Sequence, residues 1–276
     1  MRVARYLAIP LVAVFFFLNA APSRAQFAIN FTIGQPPPPI PSYSVLPVQN
    51  PGYIWQPGYW AWGPGGYYWV PGTWLAPPQT GYLWTPGYWG YSNGGYMWNP
   101  GYWAQQVGFY GGIYYGPAYP GTGFYGGQWT PAGFSYNTAV WPVNTTVIHN
   151  TYINRTVINR TVINRTSYNG GKGGIVMHPD AQQEHVMQLH HIAATPQQVE
   201  HAKEPSRDRY TYSHVNSGKP EMRTAQKPLS HSNPMPQHRP VTQEDRAAAN
   251  AQIHKAPPAQ HPANQQHPNN KKPPVS

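Results

Sequence analysis

Tyr53-Ile54-Trp55-Gln56-Pro57-Gly58-Tyr59-Trp60 opens a phrase that the chain repeats as Tyr67-Tyr68-Trp69-Val70-Pro71-Gly72-Thr73-Trp74, Tyr82-Leu83-Trp84-Thr85-Pro86-Gly87-Tyr88-Trp89 and Tyr96-Met97-Trp98-Asn99-Pro100-Gly101-Tyr102-Trp103. The leading tryptophans recur at intervals of 14, 15 and 14 residues. Self-similarity at so short a period marks one small structural unit used several times. Gly63-Pro64-Gly65-Gly66 separates the first two copies and Ser92-Asn93-Gly94-Gly95 the last two, both hairpin signals. Between them, Ala76 to Thr80 carries Pro77-Pro78, which stops a strand and suits a longer loop. We expect a mainly β fold with a four-stranded antiparallel meander over residues 52–104.

The Pro-Gly inside each copy has two readings. In a bulged strand, Pro57 removes a ladder donor, Gly58 takes positive φ, and one extra residue returns Trp55 and Trp60 to a common face. In a type II turn, each copy is a miniature hairpin. Type II turns twist against a tight hairpin, which favours the bulge. A single sheet layer buries only one face, so a second layer is required, from later in this chain or from another copy of it.

Around the repeats the composition changes in blocks. Residues 1–25 have the layout of a secretory signal peptide: Arg2 and Arg5, an apolar run from Tyr6 to Leu18, and Ser23-Arg24-Ala25 before Gln26. That run is too short for a comfortable membrane span, so no transmembrane helix is expected after cleavage. Residues 26–51 read as a proline-rich linker, extended over Pro36 to Pro39 and Pro41. Residues 105–145 are rich in Gly and Tyr, and residues 146–169 repeat Thr-Val-Ile-Asn-Arg with a period of five. That odd period puts Ile153 and Ile163 on one face of an extended arm and Ile148 and Ile158 on the other. We expect the arm to bend or break and to supply the second layer. Residues 170–217 hold a glycine linker and two short helices: Asp180 to Ala194, capped by Asp180 with Val186, Leu189 and Ala193 on one face, and Thr195 to Glu204, with Pro196 first and Gln198 completing a capping box. A third helix is expected over Thr242 to Ile253, within a His/Pro/Gln-rich tail that reads as disordered from 218 to 276.

The four Trp-x-x-Gly-x-Trp sets are Trp55, Gly58, Trp60; Trp69, Gly72, Trp74; Trp84, Gly87, Trp89; and Trp98, Gly101, Trp103. With them the chain resembles the YXWGXW (WXXGXW) repeat-containing proteins of the Gram-negative envelope. The likeness continues through Ser167-Tyr168-Asn169-Gly170-Gly171, His190-His191-Ile192, Thr195, Gln198 and His201, and Val215-Asn216 with Gly218-Lys219-Pro220. It implies an exported protein of the periplasm or outer membrane, and it carries no catalytic or binding residues over to this chain.

Charge and chemistry narrow the function. The chain carries a formal net charge of +10 and no cysteine, so neither disulfides nor a thiolate nucleophile are available. From Gln26 to Asn154 there is no Asp, Glu, Lys or Arg, and His149 is the one candidate base. Paired carboxylates for acid–base work are absent from this half, so no catalytic residues and no cofactor are assigned. The histidines lack the spacing of a defined metal site, so no metal ligands are assigned either, although weak binding by a His-rich periplasmic protein is one alternative. Another is a glycan- or peptidoglycan-binding module, for which Tyr59, Tyr88 and Tyr102 are the candidate ligand-facing residues. The primary expectation is a non-catalytic structural or interaction protein of the envelope. Its partner would be peptidoglycan, lipopolysaccharide or a second copy of itself, and not nucleic acid.

Overall fold

The computed structural model describes residues 32–156, 163–229 and 239–254. The signal peptide, Ile158 and the tail from 255 lie outside the described residues. The strands in chain order are β1 (Thr32–Ile33), β2 (Ile54–Gln56), β3 (Tyr59–Gly63), β4 (Gly66–Val70), β5 (Thr73–Leu75), β6 (Leu83–Thr85), β7 (Tyr88–Ser92), β8 (Gly95–Asn99) and β9 (Tyr102–Ala104). They are followed by β10 (Tyr114–Gly116), β11 (Tyr119–Pro120), β12 (Gly127–Thr130), β13 (Gly133–Asn137), β14 (Thr151–Tyr152), β15 (Tyr168–Asn169), β16 (Ile192–Ala193) and β17 (Ile253–His254). The α-helices are α1 (Ala181–Gln188), α2 (Pro196–Lys203), α3 (Ser213–Asn216) and α4 (Gln243–Asn250). The protein is mainly β, built from antiparallel hairpins, with short helices towards the C-terminus.

Both expected hairpin turns form. Asn93 and Gly94 take φ of 52° and 82°, the left-handed pair of a type I′ turn, and Gly63 pairs with Gly66 around Pro64-Gly65. The first two copies pair along their whole length, β3 with β4 and β2 with β5; the last two do the same, β7 with β8 and β6 with β9. Copies two and three do not hydrogen-bond to each other, so the meander is two long hairpins side by side. Pro77-Pro78 in the intervening loop separates β5 from β6, and β5 instead meets Leu229 at its free edge.

The Pro-Gly is neither a one-residue bulge nor a turn. Gln56 faces Thr73 and Tyr59 faces Val70, so Pro57-Gly58 lies opposite Pro71-Gly72 and the register is unchanged across the gap. Both strands carry the same proline, so the ladder is interrupted symmetrically and no residue is added to one side. Gly58, Gly72, Gly87 and Gly101 do not take positive φ. Their requirement is space. A Cβ on Gly58 would fall within 3.0 Å of Trp69 Cζ2, one on Gly72 of Trp55 Cζ2, one on Gly87 of Trp98 Cζ2, and one on Gly101 of Trp84 Cζ2. Each leading indole therefore lies over the glycine of the partner copy, reciprocally within each hairpin. The same indole meets the closing tryptophan of that partner at 5.2–5.5 Å between ring centroids, in Trp55–Trp74, Trp60–Trp69, Trp84–Trp103 and Trp89–Trp98.

The second layer comes from this chain, but mainly from the Gly/Tyr stretch and the proline segment instead of the arm. Tyr110, Ile113, Tyr115, Tyr119, Phe134, Tyr136 and Trp141 join the tryptophans in one core, as do Ile33, Ile40 and Val48. Tyr119 Oη donates to the carbonyls of Trp55 and Trp84, one from each hairpin. The arm contributes its ends: β14 runs parallel to β13, β15 runs parallel to β7, and Ile148 is buried. Ile153 and Ile163 are exposed, whereas Ile148 is buried. Aromatic side chains with neutral backbone between them fill the space that charged Thr-Val-Ile-Asn-Arg units would leave half polar.

Indole N–H groups, which need acceptors once buried, recruit the irregular segments. Trp60 donates to the Pro39 carbonyl, Trp74 to Leu46 and Trp69 to Arg223. The expected proline linker is thus a strap laid on the core. Part of the expected disordered tail is likewise docked: Ala225 and Leu229 donate backbone hydrogen bonds to Gly72 and Trp74, α4 forms with a Thr242 capping box, and β17 pairs with β1. Helix α1 stops at Gln188, so Leu189 is exposed; Ile192–Ala193 leave the helical face to pair with β9 as β16. Helix α2 forms with Thr195, Pro196 and Gln198 in the expected roles. Among the described residues no helix is long and apolar enough to cross a membrane.

Gly58→Ala is expected to cost about 3 kcal/mol in chemical denaturation, because the methyl meets an indole and the facing backbone with no room to shift. Gly90→Ala, whose methyl meets the movable end of Asn99 and is in ordinary contact with the Tyr88 ring, is expected to stay within about 1 kcal/mol.

Candidate functional site

Seven of the eight signature tryptophans are buried, and Trp98 is partly buried. The repeat signature is therefore core. Tyr59, Tyr88 and Tyr102, the candidates for facing a ligand, lie half-buried at three separate contacts. Tyr59 stacks on Trp98 at 5.0 Å and 16°, which joins the two hairpins. Tyr88 meets the edge of Phe109 at 5.4 Å, and Tyr102 lies 4.7 Å from the His191 ring. Burial raises all three phenol pKa values, as the loss of water disfavours phenolate. Each ring is thus engaged by a different aromatic neighbour.

A different aromatic cleft opens at the end of the first hairpin. Tyr53, Trp129, Phe134 and Tyr136 line it with His149 and Asn150, around a volume of about 560 Å³. Trp129 is fixed by a 3.0 Å hydrogen bond from Nε1 to the Tyr82 carbonyl, and Tyr136 by one of 2.8 Å to the Tyr53 carbonyl. Asn150 Nδ2 donates to the Ala132 carbonyl at 2.6 Å. Among the described residues no carboxylate, lysine or arginine lines this cleft. Its chemistry is that of a rigid neutral wall with ring faces and amide edges, suited to polar, uncharged rings. Tyr53 and Tyr136 were legible as aromatics, but their meeting with Trp129 depends on how the Gly/Tyr stretch folds back.

Gln198 was legible only as a helix cap. It also accepts from Trp103 Nε1 at 2.8 Å and donates to Gln56 Oε1 at 2.7 Å, so one buried amide ties α2 to both hairpins. One turn on, the His201 Nε2 lies 2.7 Å from the Pro71 carbonyl, and burial lowers its pKa, which favours a neutral ring donating to that oxygen. Further along, Asp245 accepts from Arg209 Nε and Nη2 at 3.2 Å each, lies 2.7 Å from His214 Nε2, and closes the cap with Thr242. The Arg209 guanidinium holds the Asp245 carboxyl well below the usual carboxylate range, with His214 and Thr242 adding to the effect. Arg239 pairs with the buried Asp208 in the same way at 3.3 Å. These are structural pairs that dock the C-terminal helices. Among the described residues no group of three potential metal ligands gathers.

The fold is thus defined by paired Trp-Gly phrases that close into aromatic hairpins. The WXXGXW repeat model matches twice, over residues 50–74 and 80–104, so this is a WXXGXW-repeat chain over those residues. Each match spans one complete hairpin, so four phrases in sequence are two structural units. No curated protein and no solved structure matches the chain.

The Asp245 pairing gives a signed pH dependence. A depressed carboxyl pKa contributes stability above the ordinary carboxylate range and loses it as pH falls below that range. Asp245→Asn is expected to cost about 2 kcal/mol at neutral pH, the half-exposed partners screening the pair. The gap to the unaltered protein should narrow below about pH 4, as read by thermal melts across acid pH.

Proposed function

We propose that this chain is an exported, non-catalytic structural or interaction protein of the cell envelope, with an envelope polymer as its partner. The observation that carries this reading is the commitment of the repeat tryptophans to a single core built mainly from the uncharged stretch between Gln26 and Asn154, with the charged residues of the mature chain confined to the segments that follow it. A cysteine-free core of this kind holds its shape by packing alone, which suits a body whose work is to keep surfaces in place. The residues from Gln26 to Asn154 offer only His149 as a base, and it lies exposed with no described carboxylate lining the adjoining cleft. The amino-terminal basic, apolar and small-residue pattern supports export. Fractionation of Gram-negative cells expressing a C-terminally tagged chain, with amino-terminal sequencing, is expected to find the mature form in the envelope beginning at Gln26. Recovery in the cytosol with Met1 retained would contradict export.

A second reading, a neutral-glycan binder, is favoured by the Tyr53/Trp129 cleft, since its fixed rings and amides suit stacking against sugars. Titration with uncharged peptidoglycan-type saccharides is then expected to change tryptophan fluorescence, and Trp129→Phe to remove most of that change. A response that survives this substitution would place the binding elsewhere.

A further inference from the structure

A second opening, of about 640 Å³, lies where the strap, the arm and the segment after α3 meet. One wall is the strap, with Pro36 and Pro39 exposed along it. That wall is held from behind: Tyr67 Oη donates to Gln35 O at 2.8 Å, Trp60 Nε1 to Pro39 O at 3.1 Å, and Ser167 Oγ to Pro38 O at 2.6 Å. Opposite and around it stand three cations, Arg165, Lys219 and Arg223, drawn from segments far apart in sequence. No described carboxylate lines the cleft.

The two guanidinium groups are positioned by neutral oxygens, and among the described residues neither forms an ion pair. Arg165 Nη2 donates to Ser42 Oγ at 2.6 Å, while the Ile40 N–H holds the Arg165 carbonyl at 2.8 Å. Arg223 Nη1 donates to the Ser42 carbonyl at 3.0 Å and its Nε to the Pro220 carbonyl at 3.3 Å. Both arginines therefore converge on one strap residue, and each keeps part of its five-donor fork for another acceptor. The nearby His214 is already turned to Asp245, whose charge is met by Arg209. A preorganised guanidinium pair is the arrangement that recognises phosphate or carboxylate oxygens in a bidentate manner. The cleft is much larger than a bare anion and falls in the size range of small-ligand sites. Its proline rings give apolar walls beside the charge.

We infer that this cleft binds a phosphorylated sugar, with the phosphate between Arg165 and Arg223, Lys219 at the rim, and the ring against the strap prolines. This goes beyond the envelope role proposed above and does not depend on where the protein resides. Isothermal titration of the full chain with glucose 1-phosphate, glucose and inorganic phosphate tests it. Glucose 1-phosphate is expected to bind, glucose not to bind, and inorganic phosphate to bind at least about tenfold more weakly, a difference of about 1.4 kcal/mol. Arg165→Gln and Arg223→Gln should each weaken binding of the sugar phosphate about tenfold or more, with melting temperature as the folding control. Lys219→Gln, for which no hydrogen bond among the described residues holds the side chain in place, should weaken it about threefold and keeps the test decisive if an arginine variant unfolds. Absence of glucose 1-phosphate binding, equal affinity for inorganic phosphate, or unchanged affinity in folded variants would overturn the assignment.

Discussion

The structure depends on one contact made four times: an indole lying on a glycine of the partner copy. Trp55 covers Gly72 and Trp69 covers Gly58; Trp84 covers Gly101 and Trp98 covers Gly87. Because the contact is reciprocal, neither copy of a pair buries its leading tryptophan without the other. The prolines suit this arrangement, since each removes a ladder donor at the point where the indole needs the strands free of further side chains. A Trp-x-x-Gly-x-Trp phrase is thus half of a unit, and the pair is what closes.

Two such hairpins still expose a face each, and the remainder of the chain follows from covering them. Tyr119 bridges the Trp55 and Trp84 carbonyls, while the Trp89 indole donates to the Trp60 carbonyl at 2.7 Å and Tyr59 stacks on Trp98. The outward indole N–H groups then take carbonyls from segments with little regular structure of their own. A proline strap and a C-terminal segment without apolar periodicity become ordered by supplying acceptors to buried donors, a cost that a large aromatic core can offset. Short segments beyond the repeats act as docking points. Thr195, Gln198 and His201 successively cap α2, join both hairpins and reach Pro71, and Ser167, Tyr168 and Asn169 clasp the strap, β7 and Gly111.

Much of the β architecture was legible because its signals are local. Asn93-Gly94 specifies a type I′ turn by backbone sterics alone, and Thr195-Pro196 with Gln198 specifies a helix start by capping geometry. The role of Gly58 was not legible, since a glycine serving close approach and one serving positive φ look alike in a single sequence. Only the partner copy, across the hairpin, distinguishes them. Order in residues 218–229 was also hidden, because it rests on acceptors for Trp69 and on the β5 edge and not on any pattern of its own. The aromatic and cationic clefts share that origin: Tyr53 with Trp129, and Arg165 with Arg223, are long-range neighbours that no spacing rule brings together.

The most direct test of the Trp-on-Gly account is proton NMR of the four repeat glycines. An α-proton held beneath an indole is shifted strongly upfield and shows cross-relaxation to that ring. Gly58, Gly72, Gly87 and Gly101 are expected to show such shifts, with contacts to Trp69, Trp55, Trp98 and Trp84 respectively. Unshifted glycine resonances, or contacts to the tryptophans of their own copy instead, would contradict reciprocal packing as the basis of the fold.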